Sequence, residues 1–330
     1  MAAYTLGGDL AVRFASLTDV RAWSKPQVAA RHFTATNEGE TVQVSLDNAE
    51  FAQLATGRIV LACNLRPAKW RHDIHPCAIG IVTSDDAGGT WSPLKVIYAP
   101  KPAIAADGYP HGCYEPFVLP LNGGKAHIYF ADETPYAKSA KCAWQNISFV
   151  ETSDGGKTWG KSKIAAYTPK RRDGMPVVID FGKWRYLAIE VNPGNTKLHP
   201  QIVMCSAATD NWKKAKRFEP LACPPDWRKT YGGAPYIAAT ESYILLSWQE
   251  SCLAGDPLAT SIARLAAVPK NELATDGTFT TMRGVSTPSG FTAGKDKMLW
   301  NSLCPLSGDK FLLTSEVEGS VMLFPGRITK

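Results

Sequence analysis

The sequence predicts an all-β protein, and three observations support that prediction. Helical periodicity is nearly absent along the 330 residues. Short runs of β-branched and aromatic residues recur instead, separated by Gly, Pro, Asn and Asp. Two segments, residues 84–91 and 152–159, share the pattern Ser/Thr-x-Asp-x-Gly-x-Thr-Trp. Because two copies in register form an internal repeat, we expect a chain built from repeated β units.

Each residue type of the shared pattern suits a tight turn. The Asp carboxylate can accept backbone N–H groups across a hairpin. The Gly can take a backbone conformation that other residues resist, and the Trp can cover the turn with a large apolar ring. We therefore expect Asp86 and Asp154 to have structural rather than catalytic roles.

The strand-like runs repeat as a unit of about 60 residues. Each unit contains two strands joined by a turn, a longer loop and a third strand. The predicted pairs of first and second strands are Glu50–Ala55 with Gly57–Cys63, Glu115–Pro120 with Lys125–Ala131, Met175–Asp180 with Trp184–Glu190, Ala234–Ala239 with Ser242–Gln249, and Leu299–Pro305 with Lys310–Glu316. The predicted third strands are Ala78–Thr83, Ile147–Thr152, Ile202–Ser206, Ser261–Leu265 and Val321–Phe324.

Four-stranded sheets repeated radially form a β-propeller, in which both faces are buried and only short edges remain. Five units are visible directly, and the first 48 residues are expected to supply a sixth, with Phe14 and residues 41–44 as strand candidates. The prediction is a single domain over residues 1–330, a six-bladed β-propeller of four-stranded antiparallel blades, with five blades as the alternative.

Composition narrows the class of protein. The net charge of +6 arises from scattered residues, which argues against a nucleic-acid partner. Eight cysteines include no Cys-x-x-Cys pair and the histidines are dispersed, so no metal site is expected. Buried free thiols and disulfides both remain open for the cysteines. No Gly-rich loop precedes a helix, and no cofactor is expected.

The sequence also bears on location. It has no run of 18 apolar residues, so no membrane span is expected. The first residues lack the pattern of a signal peptide, which fits either an intracellular protein or one whose signal has been removed. We favour an extracellular or periplasmic monomer that acts on an oligosaccharide or polysaccharide.

The propeller geometry selects candidate site residues, because the starts of first strands and the ends of second strands face one central funnel. The polar and aromatic residues there suit sugars, which need hydrogen-bonding partners for hydroxyls and flat faces for ring C–H groups. The candidate substrate-binding residues are Arg66, Arg71, Asp73, Tyr114, Glu133, Gln145, Arg172, Asp173, Tyr231, Gln249 and Trp300.

Glu115 and Glu190 are the candidate catalytic residues. Hydrolysis of a glycosidic bond usually needs two carboxyl groups, one protonated and one ionised. Glu115 lies between Tyr114 and Pro116 at the head of an apolar strand, where burying an acidic group without a purpose would be costly.

Some of the candidates have two interpretations. Arg172 and Asp173 form either a salt-bridged strand entry or a clamp for sugar hydroxyls. Trp300 is either a sugar platform or a packing residue. Glu133 either raises the pKa of a neighbouring acid or binds a lysine, Lys138 or Lys141.

Four segments resemble glycoside hydrolase family 93, the exo-α-1,5-L-arabinanases, within the wider sialidase-like group that carries the repeated Asp turn. They are residues 112–116 (Gly-Cys-Tyr-Glu-Pro), 144–147 (Trp-Gln-Asn-Ile), 172–176 (Arg-Asp-Gly-Met-Pro) and 188–190 (Ala-Ile-Glu). The resemblance implies retaining hydrolysis of arabinan, with Glu115 as nucleophile and Glu190 as acid/base, or with these roles exchanged. Tyr114 departs from the tryptophan common at that place in the family.

Three other functions are alternatives to this one. A sialidase requires an arginine in the first strand of its first blade, and residues 49–54 contain none. A lyase or glycosidase for uronic-acid glycans could use Arg66, Arg71 and Arg172 to bind a substrate carboxylate. A non-catalytic glycan-binding propeller is the third alternative.

Overall fold

A computed structural model describes residues 1–16, 19–101, 103–104, 110–136, 144–193, 196–252, 257–292 and 296–329. The chain divides into two compact units, Met1–Lys170 (unit 1) and Arg171–Lys330 (unit 2). Both units are built from antiparallel β-sheets. The α-helix in the described part of the chain, α1, covers only Pro257–Thr260.

Unit 1 contains three main sheets. The chain begins with β1 (Ala2–Leu6), β2 (Asp9–Arg13), a short hairpin of β3 (Ala15–Ser16) and β4 (Asp19–Trp23), and β5 (Gln27–Ala30). Sheet 1 consists of β1, β2 and β5. Sheet 2 consists of β6 (Phe33–Asn37), β7 (Glu40–Gln53), β8 (Ile59–Pro67), β9 (Ala78–Ser84) and β10 (Lys95–Tyr98). After the two-stranded β11 (Ala103–Ile104) and β12 (Pro110–His111), sheet 3 consists of β13 (Cys113–Pro120), β14 (Ala126–Asp132), β15 (Asn146–Thr152) and β16 (Lys163–Ala166).

Unit 2 also contains three sheets. Sheet 4 consists of β17 (Asp173–Phe181), β18 (Trp184–Val191), β19 (His199–Ser206) and β20 (Lys216–Phe218). Sheet 5 consists of β21 (Tyr231–Ala239), β22 (Tyr243–Ser251), β23 (Ile262–Pro269) and β24 (Arg283–Ser286), and sheet 6 of β25 (Met298–Pro305), β26 (Lys310–Val317) and β27 (Ser320–Arg327). Short 3-10 helices lie at Ala68–Trp70, Asn122–Gly124, Thr134–Tyr136, Trp212–Lys214 and Lys270–Glu272.

The predicted strand repeats are confirmed, and the N-terminal segment supplies a further sheet. Of the two N-terminal strand candidates, residues 41–44 do lie in a strand, although not in sheet 1, and Phe14 does not. Phe14 lies between β2 and β3, where its ring approaches the turn glycine Gly88 so closely that a Cβ there would meet Phe14 Cζ at 2.8 Å. Residues 41–44 belong to the 14-residue β7 and hence to sheet 2. The predicted four strands per blade are found in sheets 3, 4 and 5. Sheets 1, 2 and 6 instead have three, five and three strands.

Apolar side chains between neighbouring sheets form the core of each unit. In unit 1, Leu46, Leu61 and Leu65 pack with Leu10 and Val12 between sheets 1 and 2. A second cluster, which includes Val60, Ile79, Val118, Ile128 and Phe130, lies between sheets 2 and 3. In unit 2, Leu245, Met298, Leu303, Phe311 and Leu313 pack between sheets 5 and 6. Packing of both faces of a sheet is typical of stacked β units.

Several cysteines of the described residues are free thiols, namely Cys63, Cys77, Cys113, Cys205, Cys223 and Cys252. Burial raises the pKa of the Cys63 and Cys77 thiols to about 12. Such thiols are inert at neutral pH. Cys142 lies outside the described residues.

The two repeated turns have the same hydrogen bonds. The Asp86 carboxylate accepts the Thr90 backbone N–H at 2.8 Å and the Thr90 hydroxyl at 2.7 Å. Asp154 accepts the corresponding groups of Thr158 at 2.9 and 2.5 Å. The turn glycines Gly88 and Gly156 have φ values of 92° and 82°. The expected structural role of these turn residues is therefore confirmed.

We expect Asp86→Asn to remove a pH-dependent contribution to stability. Hydrogen bonds from the Thr90 backbone, the Thr90 hydroxyl and Ser84 lower the pKa of Asp86 from 3.8 to about 2. A carboxyl group whose pKa is lower in the folded state stabilises the fold above its unfolded pKa, and that stabilisation is lost as the pH falls through the folded pKa. Wild-type protein should melt at a slightly higher temperature than the variant at pH 7, because the group is exposed and screened by solvent, and the difference should shrink between about pH 4 and pH 2. Melting curves across that range test this, and a constant difference would contradict it.

A one-residue bulge recurs in β7, β13, β17, β21 and β25, which we call the lead strands. In β7, Asp47 pairs with Asn64 of β8, and the next pair is Glu50 with Ala62. Between these two pairs the chain advances by three residues in β7 but by only two in β8. The same shift occurs in the other four lead strands. The bulge residues have left-handed φ values: Asn48 52°, Glu115 60°, Met175 51°, Ala234 46° and Trp300 53°. For a residue other than Gly, this conformation costs about 1–2 kcal/mol, and it interrupts the ladder of hydrogen bonds.

Candidate functional site

Glu115, a candidate catalytic residue in unit 1, is the bulge residue of β13. It is partly exposed between the buried Tyr114 and Pro116. It is also the acidic member of the five bulge residues. Because a bulge re-aims a side chain, β13 presents a carboxyl group where the other lead strands present neutral side chains.

Arg66 and Tyr114, two of the candidate binding residues, lie close together in unit 1. The Arg66 guanidinium carbon is 5.8 Å from the centroid of the Tyr114 ring, and Arg66 Nε is 3.7 Å from Asp47 Oδ2. Burial raises the pKa of Asp47, and the charge of Arg66 opposes that shift. Sequence reasoning missed Asp47, although it precedes the β7 bulge as Tyr114 precedes the β13 bulge.

Glu133 and Gln145 are buried in unit 1, with exposed fractions of 1% and 0%. The Glu133 backbone N–H donates to the Gly112 carbonyl at 2.9 Å. Within the described residues, neither amide atom of Gln145 has a hydrogen-bond partner. Lys138 and Lys141, the suggested partners of Glu133, lie outside the described residues.

Arg71 and Asp73 form an exposed ion pair in unit 1. Arg71 Nη2 is 2.6 Å from Asp73 Oδ2 and 2.5 Å from Glu40 Oε2. Glu40 is the first residue of β7, seven residues before Asp47. The contacts of Arg71 and Asp73 are those of a surface ion pair, which usually contributes little to stability.

Glu190, the candidate catalytic residue of unit 2, is held by two donors. Its side chain is 4% exposed, and its Oε1 atom lies 3.4 Å from Arg172 Nε. The backbone N–H of Ala234, the bulge residue of β21, donates to Glu190 Oε2 at 3.1 Å. A Cβ on the neighbouring Gly233 would lie 3.0 Å from that same oxygen. Glu190 therefore occupies a tight position with a fixed orientation.

Arg172 and Asp173 each form an ion pair in unit 2. Arg172 contacts Glu190. Asp173 is 1% exposed and accepts two hydrogen bonds from Arg217, at 3.1 and 2.7 Å. Both residues therefore take part in ion pairs, and the choice between a salt-bridged strand entry and a clamp for sugar hydroxyls stays a prediction.

Tyr231, Gln249 and Trp300 are brought together in unit 2. Gln249 Nε2 donates to the Tyr231 hydroxyl at 3.3 Å, and Gln249 Oε1 accepts the backbone N–H of Trp300 at 3.1 Å. Gln249 is 0% exposed, whereas Trp300 is 46% exposed. Glu190 and Gln249 occupy equivalent places, because Glu190 pairs with Gly174 and Gln249 with Gly233, each directly before a bulge.

Two further features of the described part of the chain bear on its chemistry. No helix there is long and apolar enough to cross a membrane. No group of three or more His, Cys, Asp or Glu side chains there could hold a metal ion.

Comparison with known proteins gives structural neighbours only. No family model and no curated protein matches the sequence. A protein of unknown function from Dyadobacter fermentans is similar, with a TM-score of 0.65 and 13% identity over 96% of this chain and 82% of the other. An α-L-arabinanase from Penicillium chrysogenum, solved with arabinobiose, has a TM-score of 0.61 and 18% identity over 98% of this chain and 92% of the other. A thermostable family-43 glycoside hydrolase has a TM-score of 0.52 and 12% identity, covering 87% and 90%.

These similarities confirm the predicted fold class. The protein is an all-β, six-bladed β-propeller, and the five-bladed alternative is wrong. The neighbours named as enzymes are glycoside hydrolases, one of them from family 43 rather than family 93. At identities of this size the likeness shows the fold alone.

Proposed function

We propose that this protein is an exo-acting, retaining glycoside hydrolase with Glu115 and Glu190 as its two catalytic residues. The proposed substrate is α-L-arabinan or a related plant polysaccharide. The sequence segments that resemble family 93 and the fold shared with an arabinanase solved with arabinobiose support this choice. Since the substrate is a polymer found outside cells, we place the enzyme in the extracellular or periplasmic space, as a monomer.

The observation that carries the proposal is that each carboxyl group is positioned by a bulge in a lead strand. Glu115 is itself a bulge residue, and Glu190 binds the N–H of the bulge residue Ala234. Backbone in uncommon conformations concentrates at functional sites, where it holds side chains in place. Two carboxyl groups held in this way suit a reaction that depends on their separation.

The contacts of Glu190 favour one assignment of the two roles. The Arg172 guanidinium and the Ala234 N–H are both donors to the Glu190 carboxylate. Charge-assisted bonds of this kind stabilise an ionised carboxylate. A nucleophile must be ionised, so we assign Glu190 as nucleophile and Glu115 as acid/base, which is the exchanged form of the first assignment.

The proposed reaction has two displacements. Glu115 gives its proton to the glycosidic oxygen as the Glu190 carboxylate attacks the anomeric carbon, so the C–O bond to the leaving sugar breaks and a glycosyl ester forms. Water then attacks the same carbon, gives a proton to Glu115 and releases Glu190. The product keeps the anomeric configuration of the substrate.

Action on uronic-acid glycans has less support. It needs arginines that can pair with a substrate carboxylate. Arg66, Arg71 and Arg172 each lie beside a carboxylate of the chain itself, at Asp47, Asp73 and Glu190. A sialidase also has less support, because β7 contains no arginine.

Proton NMR of linear α-1,5-arabino-oligosaccharide hydrolysis tests the proposal. We expect release of short products from one chain end, with the α-anomer appearing first. Initial formation of the β-anomer would contradict retention. A lack of hydrolysis of arabino-oligosaccharides, with an ultraviolet-absorbing product from polygalacturonate, would replace the hydrolase with a lyase. Binding of arabino-oligosaccharides without turnover would leave only a glycan-binding propeller.

A further inference from the structure

Trp300 combines two unfavourable features in sheet 6. Its φ of 53° is an outlier for a bulky residue, and its side chain is 46% exposed. The bulge residues at the same place in β17 and β21 are Met175 and Ala234, which are half-buried and buried. Strained backbone and an exposed aromatic ring at one residue are both explained if the ring binds a ligand.

Gln249 fixes the backbone of Trp300. Its amide oxygen accepts the Trp300 N–H that the bulge removes from the strand ladder, and its amide nitrogen donates to Tyr231. A fully buried side chain with both ends occupied is not placed to contact a ligand. These contacts favour a positioning role for Gln249 over the direct substrate contact predicted for it.

Trp300 is connected to Glu190 through neighbouring residues of unit 2. A Cβ on Gly233 would meet Glu190 Oε2 at 3.0 Å and would clash with the Tyr231 hydroxyl. Tyr231 binds Gln249, and Gln249 binds Trp300. Glu190, Gly233, Tyr231, Gln249 and the backbone of Trp300 are therefore neighbours in unit 2.

We propose that the indole face of Trp300 stacks on a sugar ring of the substrate, next to the sugar that is cleaved, and that Gln249 is the positioning residue that orients it. This deepens the proposed function and rests on it. A sugar ring offers an apolar C–H face that matches an indole, and its hydroxyls can bond to polar neighbours such as Tyr231. Stacking of a flat ligand on an aromatic side chain is commonly worth a factor of about 10 in affinity.

Calorimetric titration of the Glu190→Gln protein with linear α-1,5-arabinotriose and with xylotriose measures sugar binding in the absence of turnover. The comparison of variants then gives the contribution of stacking on Trp300, which we call the platform. Adding Trp300→Ala should weaken binding of the preferred trisaccharide about tenfold or more, whereas Trp300→Phe should retain most of the affinity. Gln249→Leu should weaken binding, because the Trp300 N–H loses its acceptor. Gln249→Glu keeps an oxygen that can accept the Trp300 N–H, and this variant should therefore bind more tightly than Gln249→Leu. Thermal melting of each variant shows whether a loss of affinity is caused by misfolding.

The outcomes separate the two proposals. Unchanged affinity in the Trp300→Ala protein overturns the platform, and hydrolysis by the protein with Glu190 intact then still supports the proposed function. Equal losses for the Gln249→Glu and Gln249→Leu proteins, with normal melting temperatures, overturn the positioning role. Failure of the Glu190→Gln protein to bind either trisaccharide overturns the platform, and failure of wild-type protein to hydrolyse them would also overturn the proposed function.

Discussion

Replacement of Glu190 by glutamine is expected to lower kcat by at least about 10³-fold while the fold remains intact. We expect intact folding because a glutamine already occupies the equivalent position in another sheet. Gln249 occupies the equivalent place in sheet 5 and accepts a bulge N–H through its amide oxygen. Glutamine at position 190 can accept the Ala234 N–H in the same way, so the loss of activity reports the loss of the carboxylate. Steady-state kinetics with arabinotriose and thermal melting measure the two effects.

The Glu190→Ala protein is the matched control. It removes the acceptor as well as the charge, and so leaves the Ala234 N–H and the Arg172 guanidinium without this partner. Removing one member of a largely buried ion pair costs about 3 kcal/mol. A Glu190→Gln protein that is as unstable as the Glu190→Ala protein would make Glu190 a structural residue. Full activity in the glutamine variant would also contradict its catalytic role.

The Glu115→Gln protein is expected to lose turnover of arabino-oligosaccharides, by about 10²–10⁴-fold, without loss of folding. An acid is needed only when the leaving group is poor, so an aryl glycoside with an acidic phenol should retain its first step. Kinetics with both substrates distinguish an acid/base from a nucleophile. Hydrolysis of oligosaccharides at the wild-type rate would exclude Glu115 from catalysis.

Met175→Gln is the control for the backbone at position 115. Met175 is the bulge residue of β17, with a φ of 51°, close to the 60° of Glu115. If the Met175→Gln protein melts at nearly the wild-type temperature, glutamine is tolerated at a left-handed bulge. Inactivity of the Glu115→Gln protein is then chemical rather than conformational.

The strands could be predicted from the sequence because each is a short apolar run between turn residues. β14 and β18 begin and end within one residue of prediction. The prediction failed at β7, which was expected to begin at Glu50 but begins at Glu40. The bulge after Asp47 shifts the strand register by one residue. Such a shift reverses which side chains face the core. The alternation of apolar and polar residues is therefore broken at the bulge, and the sequence predicts the first half of the strand as a separate element.

The candidate site could be predicted only in part. Tyr114, Glu115 and Glu190 could be located, because each lies at a recognisable strand end. Their partners could not, because the contacts join residues far apart in the chain. Ala234 is 44 residues from Glu190, and Arg217 is 44 residues from Asp173. Nothing in local spacing indicates that a bulge N–H or an arginine of the last strand in a sheet reaches a given carboxylate.

The distance between the Glu115 and Glu190 carboxyl groups is the most direct test of the proposed catalytic pair. A crystal structure of wild-type protein measures it, and a second structure of the Glu190→Gln protein soaked with arabinotriose places the scissile bond. A retaining enzyme requires a separation of about 5–5.5 Å, with the bond between the two groups. A separation of about 6.5–9.5 Å would indicate inversion, and one well beyond that range would show that these two residues do not act together.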